Sequence, residues 1–111
     1  MSALPRDPQK AITFIYENAP RYAQAKAQRI QIENFMKSKR ALLMNASGAK
    51  TVSEREAEAY AHPEYIELGK GLAAAVEIEE TLKWQMTSAE LAVEVWRSQE
   101  ASNRRIDRAT Q

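Results

Sequence analysis

The chain has one histidine, His62, directly before Pro63, and no cysteine. Without cysteine there is no thiolate nucleophile, no thiolate metal ligand and no disulfide. A histidine can act as a general base, but no serine is spaced to it as a nucleophile. Its place before a proline predicts a turn residue. Glu79 with Glu80, and Glu90 with Glu94, are carboxylate pairs of the type that bind metal in helix bundles. Such sites also require Glu-x-x-His on facing helices, and the sole histidine stands elsewhere. Glu77, Glu79 and Glu80 are therefore expected on a solvated face. Gly69-Lys70-Gly71 lies within a helical pattern and lacks the rest of a phosphate-binding loop. These spacings predict no catalytic residue, no metal and no cofactor, hence no enzyme.

Basic residues offer a different chemistry. Lys26, Arg29, Lys37 and Arg40 recur at helical spacing with Glu33 among them, and Lys39 and Lys50 lie close in sequence. A line of this kind can follow a phosphate backbone. Arg97, Arg104, Arg105 and Arg108 form a second basic group. Two tryptophans complete the candidates. Trp96 falls on an apolar seam, whereas Trp84 falls off it and is the better exposed anchor for a protein partner.

The elements that must position these residues read as helices throughout. No run alternates with period two between turn residues, so no strand is expected. Asp7-Pro8 starts a short helix over about 8–18, stopped because Pro20 disfavours helical geometry at Ala19. A second helix runs over about 20–44, its stripe made by Ala25, Ile32, Phe35, Met36, Leu42 and Leu43. Residues 45–52 form a loop, with Gly48 as the left-handed residue that closes the helix. Ser53 with Glu56, or Thr51 with Glu54, makes the capping box of a third helix over about 53–61. Pro63 then either opens a new helix or kinks a continuous one.

From Pro63 to about Arg105 the chain reads as one long helix, roughly 60 Å at about 1.5 Å per residue. Its seam is Tyr65, Leu68, Leu72, Ala75, Glu79, Leu82, Met86, Ala89, Val93 and Trp96, a heptad interrupted only by Glu79. Residues 106–111 are expected to fray. A rod of that length needs a partner. The simplest arrangement is a single all-α domain over 1–111. In it an antiparallel, coiled-coil-like hairpin of helices 20–44 and 63–105 carries the short N-terminal helix at one end. The shorter helix covers only part of the longer. Trp84, Met86, Val93 and Trp96 are thus the expected interface of a homo-oligomer, a dimer by preference.

Charge is distributed unevenly about a net of +1. Residues 1–50 carry nine basic and three acidic side chains, while residues 51–100 carry four basic and eleven acidic. The two halves complement each other, or the basic one faces an anionic partner. No apolar run approaches a membrane span, and residues 1–10 do not read as a signal peptide. The expectation is a soluble, cytoplasmic protein without membrane contact.

Residues 22–44, YAQAKAQRIQIENFMKSKRALLM, and 59–108, from Ala59-Tyr60-Ala61-His62-Pro63 to Asp107-Arg108, resemble small helical proteins encoded in early regions of tailed phages and prophages. The most recognisable pieces are KSKRALLM at 37–44, YAHPEY at 60–65 and the stretch from Trp96 to Arg104. Those genes often neighbour recombination and single-strand-binding genes. The resemblance implies a phage accessory protein acting near DNA replication, recombination or host defence. With the spacings above, the expectation is a non-enzymatic protein of DNA recombination or replication in the host cytoplasm, with DNA or a phage or host recombination protein as partner. DNA contact would use Lys26, Arg29, Lys37, Lys39, Arg40, Arg97, Arg104 and Arg105. The other reading is a protein-interaction module, for instance an inhibitor of a host enzyme, with no nucleic-acid contact.

Overall fold

Three helices and no strand account for the described residues, 7–110, of the computed structural model. They are α1 (Pro8–Ala46), α2 (Val52–Ala61) and α3 (Pro63–Thr110). The fold is all-α with one long C-terminal helix. Contacts group residues 7–22 with 80–110 in one unit and residues 23–79 in a second.

The break predicted before Pro20 is absent, and α1 continues through it. Proline removes one backbone donor, the one that would reach the Tyr16 carbonyl, and its ring crowds that carbonyl. Against this local cost stands a seam that keeps its spacing across the proline. Ala11, Ile15, Asn18, Tyr22, Ala25, Arg29, Ile32, Met36, Lys39 and Leu43 alternate steps of four and three. All ten are buried or half-buried. Packing of a continuous seam outweighs local propensity. Asn18, buried in this seam, turns its amide Nδ2 back to the Phe14 carbonyl at 2.8 Å, so no apolar partner is required of it.

The turn between α1 and α2 is closed by an arginine instead of a left-handed glycine. No described glycine has a positive φ, Gly48 included. Arg55 of α2 donates from Nη1 to the Met44 carbonyl at 3.1 Å and from Nε to the Ala49 carbonyl at 2.9 Å. It thereby adds a second donor to the Met44 carbonyl, which also accepts the Ser47 N–H at 3.2 Å near the end of α1. Ser47 adds a hydroxyl bond to the Glu58 carboxylate and accepts from the Ala49 N–H. Of the two capping boxes, Thr51 supplies the cap: its Oγ1 accepts from the Glu54 N–H at 3.1 Å, so α2 begins at Val52.

His62 separates α2 from α3. Its backbone is extended (φ −66°, ψ 132°), and its N–H donates to the Ala59 carbonyl. Its Nδ1 accepts from the Glu64 N–H at 3.1 Å, and its carbonyl accepts from the Ile66 N–H. It is a turn residue that ends one helix and caps the next, while Pro63 occupies the first position where a missing N–H costs least. Helical geometry in α3 persists to Thr110, past the end expected near residue 105; Gln111 lies outside the described residues.

In the unit of residues 23–79, α1 and α3 are antiparallel: Lys39 meets Glu64 at one level and Arg29 meets Glu79 at another. Between them a Cβ on Gly69 would lie 3.9 Å from the Met36 Cε. The buried apolar residues are alanines, Ala25, Ala59 and Ala75 here and Ala11 and Ala89 in the other unit. No large side chain among the described residues is fully buried. Alanine at these positions lets two helices approach closely and leaves their larger apolar side chains at the edges of the contact.

Candidate interaction surfaces

Glu79, expected on a solvated face, is 5% exposed. The α3 heptad places it in the seam, and Arg29, at a seam position of α1, receives it. The guanidinium binds both carboxylate oxygens, Nη2 reaching Oε1 at 3.2 Å and Nε reaching Oε2. Its Nη1 donates to Glu33 at 2.8 Å. These two acceptors, Glu79 foremost, hold the guanidinium protonated well beyond its already high pKa. Two planar groups meeting in this bidentate way give orientation as well as attraction.

That arrangement divides the basic line predicted on α1. Arg29 is inside the seam. Lys39 is a seam residue paired with Glu64, whose carboxyl it draws below the usual range by hydrogen bonding and then by charge. Arg40 donates to the Tyr60 hydroxyl at 2.8 Å, with its guanidinium 5.9 Å from the same ring. Tyr60 in turn meets Tyr65 edge to face at 5.4 Å. Lys26 and Lys37 remain exposed. On α3, Arg97 pairs with Glu94 at 3.1 Å, and Arg104 and Arg105 are exposed.

The expected protein interface divides in the same way. Met86 and Val93 are half-buried seam residues in a unit where α1 supplies residues 7–22, because α1 reaches back past Pro20. Trp84 and Trp96 are exposed. Trp84 belongs to a second stripe that sequence reasoning missed. Trp84, Ser88, Leu91 and Val95 follow steps of four, three and four, and 100° per residue sets them opposite the seam. The three large members are exposed by 60%, 60% and 56%. The signal was present as a second heptad in the same helix, half a turn from the first. Glu80 and Glu94 fall along one border of this stripe, and the Lys83 ammonium stands 5.9 Å from the Trp84 ring.

A groove of about 620 Å³ runs along one edge of the residue 23–79 unit. Ile32 and Phe35 of α1 and Leu68 and Gly71 of α3 line it, with Lys39 on one rim and Glu67 on the other. Phe35 is 59% exposed, and a Cβ on Gly71 would meet nothing within 4 Å.

Among the described residues no cluster of histidine or carboxylate side chains has metal-binding geometry, and no helix is long and apolar enough to cross a membrane. No protein-family model, curated protein or solved structure matches the chain.

Proposed function

We propose that this chain is a non-enzymatic accessory protein that works by holding a partner protein, and that the contact is the outward stripe of α3. The observation that carries the reading is the alignment of Trp84, Leu91 and Val95, all more than half exposed, on the side of α3 away from its seam. An apolar helix face with a tryptophan anchor suits an amphipathic helix laid along it. Glu80 and Glu94 on its border select a helix with basic flanks. The setting implied by the resemblance, phage-type DNA recombination or replication, supplies the class of partner.

A defined probe tests this. In a Trp96→Phe background, Trp84 is the remaining tryptophan and reports on the stripe. Titration with a synthetic amphipathic helix of leucine and lysine should shift its emission saturably to the blue, while a leucine–glutamate helix of equal length should not. Leu91→Glu adds negative charge and removes apolar contact, so it should weaken binding if the stripe is the site. Unchanged binding in that variant would reduce the contact to nonspecific charge and reject the proposal.

Nucleic-acid contact is the second reading, favoured by the exposure of Lys26, Lys37, Arg104 and Arg105. Phosphate-driven binding of single- or double-stranded DNA would weaken steeply from low to moderate salt. Absence of binding at low ionic strength removes this reading.

A further inference from the structure

We propose that the groove along the residue 23–79 unit is filled by the same groove of a second copy of this chain, two hairpins closing into an antiparallel four-helix bundle. In this unit α1 and α3 meet on an alanine seam that does not cover the large apolar side chains at its edge. Phe35 and Leu42 are 59% and 64% exposed, and Ile78 on α3 is 54% exposed. The usual closed solution for such a hairpin is a second helical layer.

The charges identify that layer as another copy. Within residues 23–46 the chain carries five basic and one acidic side chain, and within 63–79 four acidic and one basic. Of these, the α1 wall of the groove carries Lys39 and the α3 wall carries Glu64 and Glu67, while Lys37 and Arg40 line the opposite edge. A two-fold axis running parallel to the helices, in the plane of contact, exchanges left and right without changing level. It lays α1 of one copy over α3 of its partner and α3 over α1. Helix directions are preserved by this operation, so each helix lies antiparallel to the one above it, and Lys39 of each copy comes level with Glu64 and Glu67 of the other. No foreign partner is needed to supply either charge.

Gly71 supports the same geometry. In a helix interior glycine lowers stability relative to alanine, and no contact within this chain requires its missing side chain. Phe35 and Gly71 line one groove. The two-fold described sets Phe35 over Gly71 of the other copy, where an absent Cβ leaves room for the ring.

Two experiments decide the matter, and neither depends on the α3 stripe. Sedimentation equilibrium should give twice the 12.6 kDa chain mass for the unaltered protein and for Leu91→Glu, and a single chain mass for Gly71→Leu with unchanged helicity. A single mass for the unaltered protein overturns the proposal. So does a dimer lost in Leu91→Glu and kept in Gly71→Leu, which would move the interface to the stripe. Since the chain has no cysteine, Phe35→Cys and Gly71→Cys can be introduced singly and the two variants mixed. Mild oxidation should cross-link the mixture and leave each variant alone largely uncross-linked. Equal cross-linking in all three samples, or none in the mixture, refutes the two-fold.

Discussion

Arg29 and Glu79 are each a charged interruption of a helical seam, and they interrupt α1 and α3 at the same level, where the guanidinium grips both carboxylate oxygens. A heptad seam permits several registers that differ by one repeat, since apolar residues recur at each. Sliding α1 by seven residues would strand Glu79 opposite Tyr22 or Met36 and leave a buried carboxylate without its partner. The pair therefore acts as a register lock, as polar residues do at coiled-coil core positions. Its contribution to net stability is a separate matter, because burying two charges sacrifices much of what their attraction returns.

The two roles separate by mutation. Arg29→Met should lower the melting temperature clearly, since Glu79 then stays buried without its main cation. Combining Arg29→Met with Glu79→Leu should restore the melting temperature to the original value or above it, because an apolar pair fills the same place without desolvation. If the double variant melts below Arg29→Met, the pair adds net stability and the desolvation argument fails. The double variant should also lose uniqueness of register. Disulfide trapping between cysteines placed at Met36 and Gly69, which face each other across the seam, would show this as a reduced yield.

Pro20 shows why part of the fold was hidden in the sequence. The rule that proline ends a helix is local, and it predicted a break. The evidence against a break lay in the spacing from Ala11 to Leu43, which never slips, and a heptad count on α1 would have found it. That count was discouraged by Asn18, Arg29 and Lys39, polar residues at three of ten seam positions. Each is explained only by something distant or conformational: Asn18 by its bond to Phe14, Arg29 by Glu79, Lys39 by Glu64. The α3 seam, interrupted once, was legible from Tyr65 to Val93, while Trp96, expected to close it, is exposed. The seam's pairing with residues 7–22 was not legible, because it depended on α1 being continuous. Pro20→Ala should then stabilise the chain by about 2 kcal/mol: the helix-interior penalty of about 3 is partly offset by proline's restriction of the unfolded chain, up to about 1. Denaturant melts measure it. A destabilised variant would mean that the proline's geometry is needed.

Arg55 offers a third test, at the turn that Gly48 was expected to make. Its guanidinium spans the carbonyls of Met44 and Ala49 and ties the end of α1 to α2. Arg55→Lys keeps the charge and loses the planar fork, so it should not restore what Arg55→Ala removes. Either variant should speed proteolysis within 47–51 before it changes total helicity. Thr51→Ala removes the α2 cap and should cost about 1 kcal/mol. If Arg55→Lys were as resistant to protease as the unaltered chain, charge alone would account for the contact.

The Lys39–Glu64 pair predicts a pH dependence whose sign is fixed by the direction of the shift. Lys39 holds the folded Glu64 carboxyl below its usual value of 4.5, first by hydrogen bonding and then by charge, with His62 adding a smaller push in the same direction. The unfolded chain therefore binds a proton at Glu64 before the folded chain does. Stability from this pair is complete above the usual carboxylate value and disappears as pH falls through the depressed one. Glu64 is largely exposed, its side chain 61% accessible, so solvent and salt screen the pair and the effect is small. Other carboxylates titrate in the same range, which makes the comparison with Glu64→Gln the informative quantity. At neutral pH and low salt the unaltered chain should melt slightly above Glu64→Gln. That margin should shrink as pH falls below the usual carboxylate value and vanish once it has passed the depressed one, where both side chains are neutral, and should also shrink in 1 M salt at neutral pH. A margin that persists at low pH would assign the contribution of Glu64 to its place in the first turn of α3 and not to its charge.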